Sequence, residues 1–176
     1  MRGGSGSIVR NLSWAMRSWN ESSILVDKKS KFQARCCTLT DQKEVPSMLN
    51  ELVRETKAVA KASHPHMYAW RTGDVKTVAG SSNGTSKKRS QSRNRNNNKS
   101  DGDDQETRVK NLQQGSSDCG EAGAGQRLLT LLERSHAINV LVIVTRWYGG
   151  TPLGPARFRH ISTAAVESLK LGKYIS

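Results

Sequence analysis

Apolar positions along this chain follow two periods. Ser23-Ile24-Leu25-Val26 opens an extended stretch that runs to residue 39, with Asp27-Lys28-Lys29-Ser30-Lys31 as a charged turn or strand end. Phe32, Ala34 and Cys36 then alternate with Gln33, Arg35 and Cys37, the period of two of a half-buried strand. Val45, Met48, Leu49, Leu52 and Val53 recur at helical spacing and predict a helix from about Lys43 to Lys61. Pro46 has to sit in its first turn, and Ser63-His64-Pro65 stops it. His66 to Arg71 reads as an aromatic-rich strand ended by Thr72-Gly73-Asp74. Leu128, Leu129, Leu131 and Leu132 predict a helix that ends near Arg134–His136. The unbroken run Val140-Leu141-Val142-Ile143-Val144 predicts a strand buried on both faces. Phe158, Ile161, Ala165 and Leu169 predict a last helix that starts at Gly154-Pro155. This order, with one extra strand or hairpin, argues for an α+β two-layer sandwich: a four-stranded sheet with helices on one face.

Two stretches lack such patterning. Residues 1–22 read as an N-terminal tail with a Gly/Ser-rich start. Ile8, Leu12, Ala15 and Trp19 share one helical face, and Arg10 and Arg17 lie on another. No acid precedes Glu21, which also fits a mitochondrial transit segment and sets a mitochondrial address beside the cytoplasmic one. Residues from about 75 to 116 are rich in Ser, Asn, Gln and basic residues, with Lys87-Lys88-Arg89 followed by Asp101, Asp103 and Asp104. Too little apolar area is available there to offset the entropy of ordering, which predicts a disordered basic insertion in a single domain spanning 23–176.

Charge narrows the partner class. The net charge of +13 is spread along the chain: +6 over residues 1–72, +4 over 73–116 and +3 over 117–176. Diffuse positive charge points to RNA or an acidic protein. No apolar run reaches the roughly 20 residues of a membrane span. Three cysteines, two of them adjacent (Cys36, Cys37) and one alone (Cys119), make no disulfide framework and fit a reducing compartment. His64 and His66 flank Pro65 without a nearby ligand, so neither a metal nor another cofactor is expected.

Candidate chemistry concentrates around the last strand. Arg146, Tyr148, Gly149, Gly150 and Gly154 form its turn, and Arg157, Arg159 and His160 open the following helix with no acid before Glu167. A helix N-terminus repels cations, so a bound anion would explain them: phosphate, nucleic-acid backbone or an acidic protein patch. The alternative is long side chains lying outward in water. Asp118, Gly120, Glu121 and Arg127 belong to a second glycine-rich segment, whose small residues either pack two backbones closely or aim amides at an anion. That segment is neither a dinucleotide nor a P-loop fingerprint. Asp118 and Glu121 read as helix-start carboxylates. A catalytic acid/base pair, making the chain a hydrolase, is the weaker alternative because no nucleophile lies near them in sequence.

Asp118-Cys119-Gly120-Glu121 running into Gly125-Gln126-Arg127-Leu128-Leu129, then Thr145-Arg146-Trp147-Tyr148-Gly149-Gly150, then Leu153-Gly154-Pro155 with Arg157-Phe158 and His160-Ile161, resemble the IMPACT/YigZ family in its eukaryotic form. Lys29-Ser30-Lys31-Phe32-Gln33-Ala34 resembles that family's opening strand. The resemblance covers about residues 23–74 and 117–171. It implies a βαβ fold like a small-subunit ribosomal protein domain and domain IV of the translocation elongation factor. It also implies contact with RNA, the ribosome or translation-regulatory proteins in the amino-acid-starvation response, and with actin. Eukaryotic relatives carry an N-terminal RWD domain, which the stretch before residue 23 leaves no room for.

The sequence therefore predicts a monomeric, non-enzymatic regulator linked to translation. It would bind RNA or an acidic partner through Arg146, Tyr148, Gly149, Gly150, Gly154, Arg157, Arg159, His160, Asp118, Gly120, Glu121 and Arg127. The alternative is a module for kinase-pathway or actin-type proteins.

Overall fold

The computed structural model describes residues 17–77 and 107–176. Ile8, Arg10, Leu12 and Ala15 of the proposed N-terminal helix, and Lys87-Lys88-Arg89 of the insertion, lie outside these residues. The elements are β1 (Asn20–Glu21), β2 (Leu25–Asp27), β3 (Ser30–Thr38), a 3-10 turn (Gln42–Glu44), α1 (Val45–Glu55), α2 (Lys57–Ala60), β4 (His64–Thr77), β5 (Thr107–Ser117), α3 (Ala124–Arg134), β6 (Val140–Trp147) and α4 (Ala156–Leu171).

The fold is α+β, as the periodicity implies, with one antiparallel sheet ordered β1-β3-β6-β4-β5 and β2 also paired to β3. Among the described residues the sheet has four long strands, β3, β4, β5 and β6, and two short ones, β1 and β2. β5 was not among the strands expected. Both short strands lie along the outer edge of β3.

The helices cover both faces, where one was expected. Val140, Val142 and Val144 of β6 join Phe32, Ala34, Leu128, Ile161 and Leu169 in a core under α3 and α4. Leu141 and Ile143 point the other way, into a core with Met48, Leu49, Leu52 and Val59 of α1 and α2. Alternate side chains of a strand leave opposite faces, so an unbroken apolar strand needs apolar cover on each.

The helix expected over 43–61 is broken at Thr56, whose backbone is extended (φ −110, ψ 92). That break turns α2 so that Val59 is buried.

The larger correction concerns the two ends of the expected insertion, residues 75–77 and 107–116. Positions 75–77 extend β4, and 107–117 form β5 against it. Thr72-Gly73-Asp74 is a bulge in this ladder and not its end. There the Gly73 backbone amide donates to Asn139 Oδ1 at 3.0 Å, and Asn111 (φ +52) donates from its side-chain Nδ2 to the Asp74 carboxylate at 2.6 Å. β5 is a polar, largely exposed edge strand, held by backbone pairing more than by burial, so its composition alone resembled a loop.

Candidate functional site: an arginine–glutamate cleft

The polypeptide around the site is shaped by its own close contacts. Gly149 lies against the β2–β3 turn: an added Cβ would stand 2.2 Å from the Lys29 carbonyl carbon, and the Gly149 amide donates to Ser30 Oγ at 3.0 Å. Gly125 packs on the backbone of Ser117, where a Cβ would meet it at 2.7 Å. The amides of Gly123 and Gly125 do hold an anion, but it is the chain's own Asp118 carboxylate, at 3.0 and 2.7 Å. Asp118 is thus committed to the start of α3, as the helix-start reading expected.

Glu121 is the centre of the cleft. It is 6% exposed and both its oxygens face cations. Arg146, 5% exposed at the end of β6, donates from its guanidinium to Glu121 Oε2. Arg157, in the first turn of α4, brings Nε to 2.6 Å from Oε1 as an ion pair, and donates from a terminal nitrogen to the Gly154 carbonyl at 3.0 Å. His64 Nε2 stands 3.6 Å from Oε2 while its Nδ1 lies 3.0 Å from the Cys119 carbonyl. Burying these charges is tolerable only because they are paired.

These groups line an open cleft of about 380 Å³ together with Tyr148, Leu153 and Gly154. Tyr148 is half exposed at its mouth, with its ring 5.5 Å from the Arg146 guanidinium. Two guanidiniums face one carboxylate. One positive charge is left over before any proton on His64 is counted. Arg146 Nε has no hydrogen-bond partner among the described residues.

The other predicted site residues are distributed elsewhere. His160 pairs with Asp27 at 2.8 Å and packs against Phe32, so its place in the fold is structural. Arg159 is exposed. Gly120 (φ +82) lies under the His64 ring, and Gly150 (φ +90) has nothing within 4 Å of a Cβ. Arg127 and the cleft residue Arg157 both lie over the Phe158 ring, with centroid distances of 4.9 and 4.5 Å, and Arg127 lines a separate groove with Thr130 and Arg134.

Part of the negative charge facing Arg146 at the end of β6, and Arg157 and His160 at the start of α4, is therefore internal: Glu121 for the two arginines and Asp27 for His160. Sequence reasoning missed His64, which the ladder sets opposite Arg146. Only pairing of β4 with β6 brings them together, and no local spacing signals it.

Residues 28–169 match the Impact N-terminal domain family. The chain is 56% identical over 167 residues to the IMPACT family member YDL177C of Saccharomyces cerevisiae, covering 94% of this chain and 98% of that protein. It is 34% identical over 153 residues to the Protein IMPACT homolog of Schizosaccharomyces pombe, where the match spans 87% of this chain but only 42% of the relative. A solved structure described as a hypothetical protein shares the fold at a TM-score of 0.53 and 22% identity, covering 88% of this chain and 61% of that one. With its motifs seated in one fold, the chain belongs to the IMPACT family.

Proposed function

We propose that this chain is a non-enzymatic regulator linked to translation, and that its arginine–glutamate cleft docks the phosphate backbone of RNA, in the free state or on the ribosome. Family membership supports the translational setting. The observation that carries the docking site is the charge imbalance around Glu121: Arg146 and Arg157 against one buried carboxylate. Such a cluster is held ready for one external anion, and the aromatic ring of Tyr148 at the mouth suits a stacked base. Both oxygens of Glu121 face guanidiniums and Asp118 holds amides at the start of α3, which supports a binding role over a catalytic one for these carboxylates.

Binding of a labelled uridine oligonucleotide to the full chain across a salt series tests this reading. A log-linear loss of affinity with salt is expected, and Arg157→Ala should weaken binding and reduce the slope by about one. A flat salt dependence, or no effect of Arg157→Ala, would remove the RNA reading and favour a protein partner such as a kinase-pathway or cytoskeletal component.

A further inference from the structure

A second surface lies on the opposite face of the sheet. Val26 stands across from Lys31 in the β2–β3 ladder, and Lys31 across from Trp147 in the β3–β6 ladder. Directly opposed residues of an antiparallel ladder leave the same face. Val26, Lys31 and Trp147 therefore form one row across three strands. The neighbouring row, Leu25, Phe32 and Arg146, faces the core under α3 and α4, where Phe32 is fully buried and Leu25 packs. α1 and α2 cover the β6 end of the outer row, and its β2 end is open.

That open end is apolar at its centre and basic at its rim. Ile24 is 53% exposed and Val26 63% exposed. Ile24, Trp147 and Ala58 line a cleft of about 250 Å³ with Lys29, Lys31 and Gln33. Trp147 donates its indole N–H to the Ala58 carbonyl at 2.8 Å, which fixes the ring as the wall of the cleft. Lys28 (φ +44) and Lys29 (φ +66) are both held in the left-handed region by a two-residue turn. That conformation is disfavoured for lysine, and Asn-Gly is the usual choice in such a turn. The Glu21 carboxylate is committed to Arg35 and Gln33. Among the described residues, Lys29 and Lys31 have no ion-pair partner.

We propose that this strip docks an acidic segment of a partner protein, with one large apolar side chain seated between Ile24 and Trp147 and flanking carboxylates on Lys29 and Lys31. The cleft is smaller than the roughly 300–1,000 Å³ typical of small-molecule pockets, which favours a single side chain over a metabolite. Its exposed apolar groups are aliphatic, and the Trp147 N–H is already used, which favours a peptide over stacked bases. Unpaired lysines around an apolar patch supply complementarity to acid and repel basic sequences.

The test uses the full chain, nitrogen-labelled for NMR, and three probes: an acidic peptide with one central leucine, the same peptide with serine in place of leucine, and a uridine oligonucleotide. The leucine peptide should shift the Trp147 indole N–H and the amides of Ile24, Val26 and Lys31. It should bind at least about tenfold more tightly than the serine peptide. Ile24→Ser with Val26→Ser, both exposed and so compatible with folding, should remove that preference, and Lys29→Glu with Lys31→Glu should weaken both peptides. Equal binding of the two peptides, or shifts confined to other residues, would overturn the proposal. So would a stronger effect of the oligonucleotide on the same indole. A dimer dissolved by Ile24→Ser with Val26→Ser, or a leucine-peptide site that opens only after residues 1–16 are removed, would assign the strip to a second copy or to the chain's own N-terminal segment and would also overturn it.

Discussion

Arg157 Nε stands 2.6 Å from Glu121 Oε1, joining the first turn of α4 to the loop before α3. Glu121 is nearly fully buried, and Arg146 from the end of β6 shares it. One carboxylate thus ties together three segments that are far apart in sequence. The same contacts fix the charge of the cleft.

Removing that carboxylate should be costly. Glu121→Ala leaves two guanidiniums unpaired, one of them buried, and is expected to lower stability by about 3–5 kcal/mol. Urea denaturation measures this. A loss below about 1 kcal/mol would mean that water replaces the pair and that it does not hold the three segments together.

Gly149 and Gly150 should respond differently to alanine. At Gly149 the clash is with backbone, 2.2 Å from the Lys29 carbonyl carbon, and neither segment can move without opening the β2–β3 turn. A loss of about 3 kcal/mol or more is expected for Gly149→Ala. At Gly150 nothing lies within 4 Å and only the positive φ opposes a side chain, so Gly150→Ala should cost about 1–2 kcal/mol. Equal losses in the two variants would show that the close approach of Gly149 to Ser30 contributes nothing.

Stability should fall at alkaline pH through the adjacent cysteines. Burial pushes the Cys37 thiol up to about 12 and also raises that of Cys36, which donates to the Ser168 carbonyl. In the unfolded chain both ionise near the ordinary thiol value of 9.0. The folded form thus retains protons that the unfolded form gives up. The stabilisation from the buried thiols is full below pH 9 and is lost as pH rises towards 12, at about 1.4 kcal/mol per pH unit for Cys37 alone. Urea denaturation at stepped pH checks this: Cys37→Val should flatten the slope in that window relative to the unmodified chain. An unchanged slope would place the alkaline loss in other groups.

What was legible in the sequence follows from which forces are local. Alternation marked β3, and the leucine and valine periods marked α1 and α3. The unbroken run in β6 already required apolar cover on both faces, yet the order of elements was read as helices on one. The second layer could have been inferred from Leu141 and Ile143, which need partners that α3 and α4 cannot supply from the other side. β5 was illegible because an edge strand gains its stability from backbone pairing, and Gln113, Gln114 and Gly115 look like loop residues.

The site was legible in part. Arg146, Tyr148, Gly154, Arg157 and Glu121 were singled out as candidates and do meet in one cleft. The expectation of an external anion for every cation there was incomplete, because sequence spacing does not show that Glu121 folds onto Arg146 and Arg157, or that Asp27 reaches His160. His64 arrived through strand pairing, as did the row of Val26, Lys31 and Trp147.

The central claim, that surplus positive charge around Glu121 docks an external phosphate, is tested most directly by oligonucleotide affinity of the Glu121→Gln chain at fixed salt. Glutamine keeps the shape of the side chain and removes the competing negative charge. The account predicts tighter binding than the unmodified chain, together with a lower unfolding midpoint, because the same substitution frees the guanidiniums and unpairs them. Unchanged or weaker binding by a folded Glu121→Gln protein would contradict it, and would leave the arginine–glutamate cluster as a brace between β6, α3 and α4.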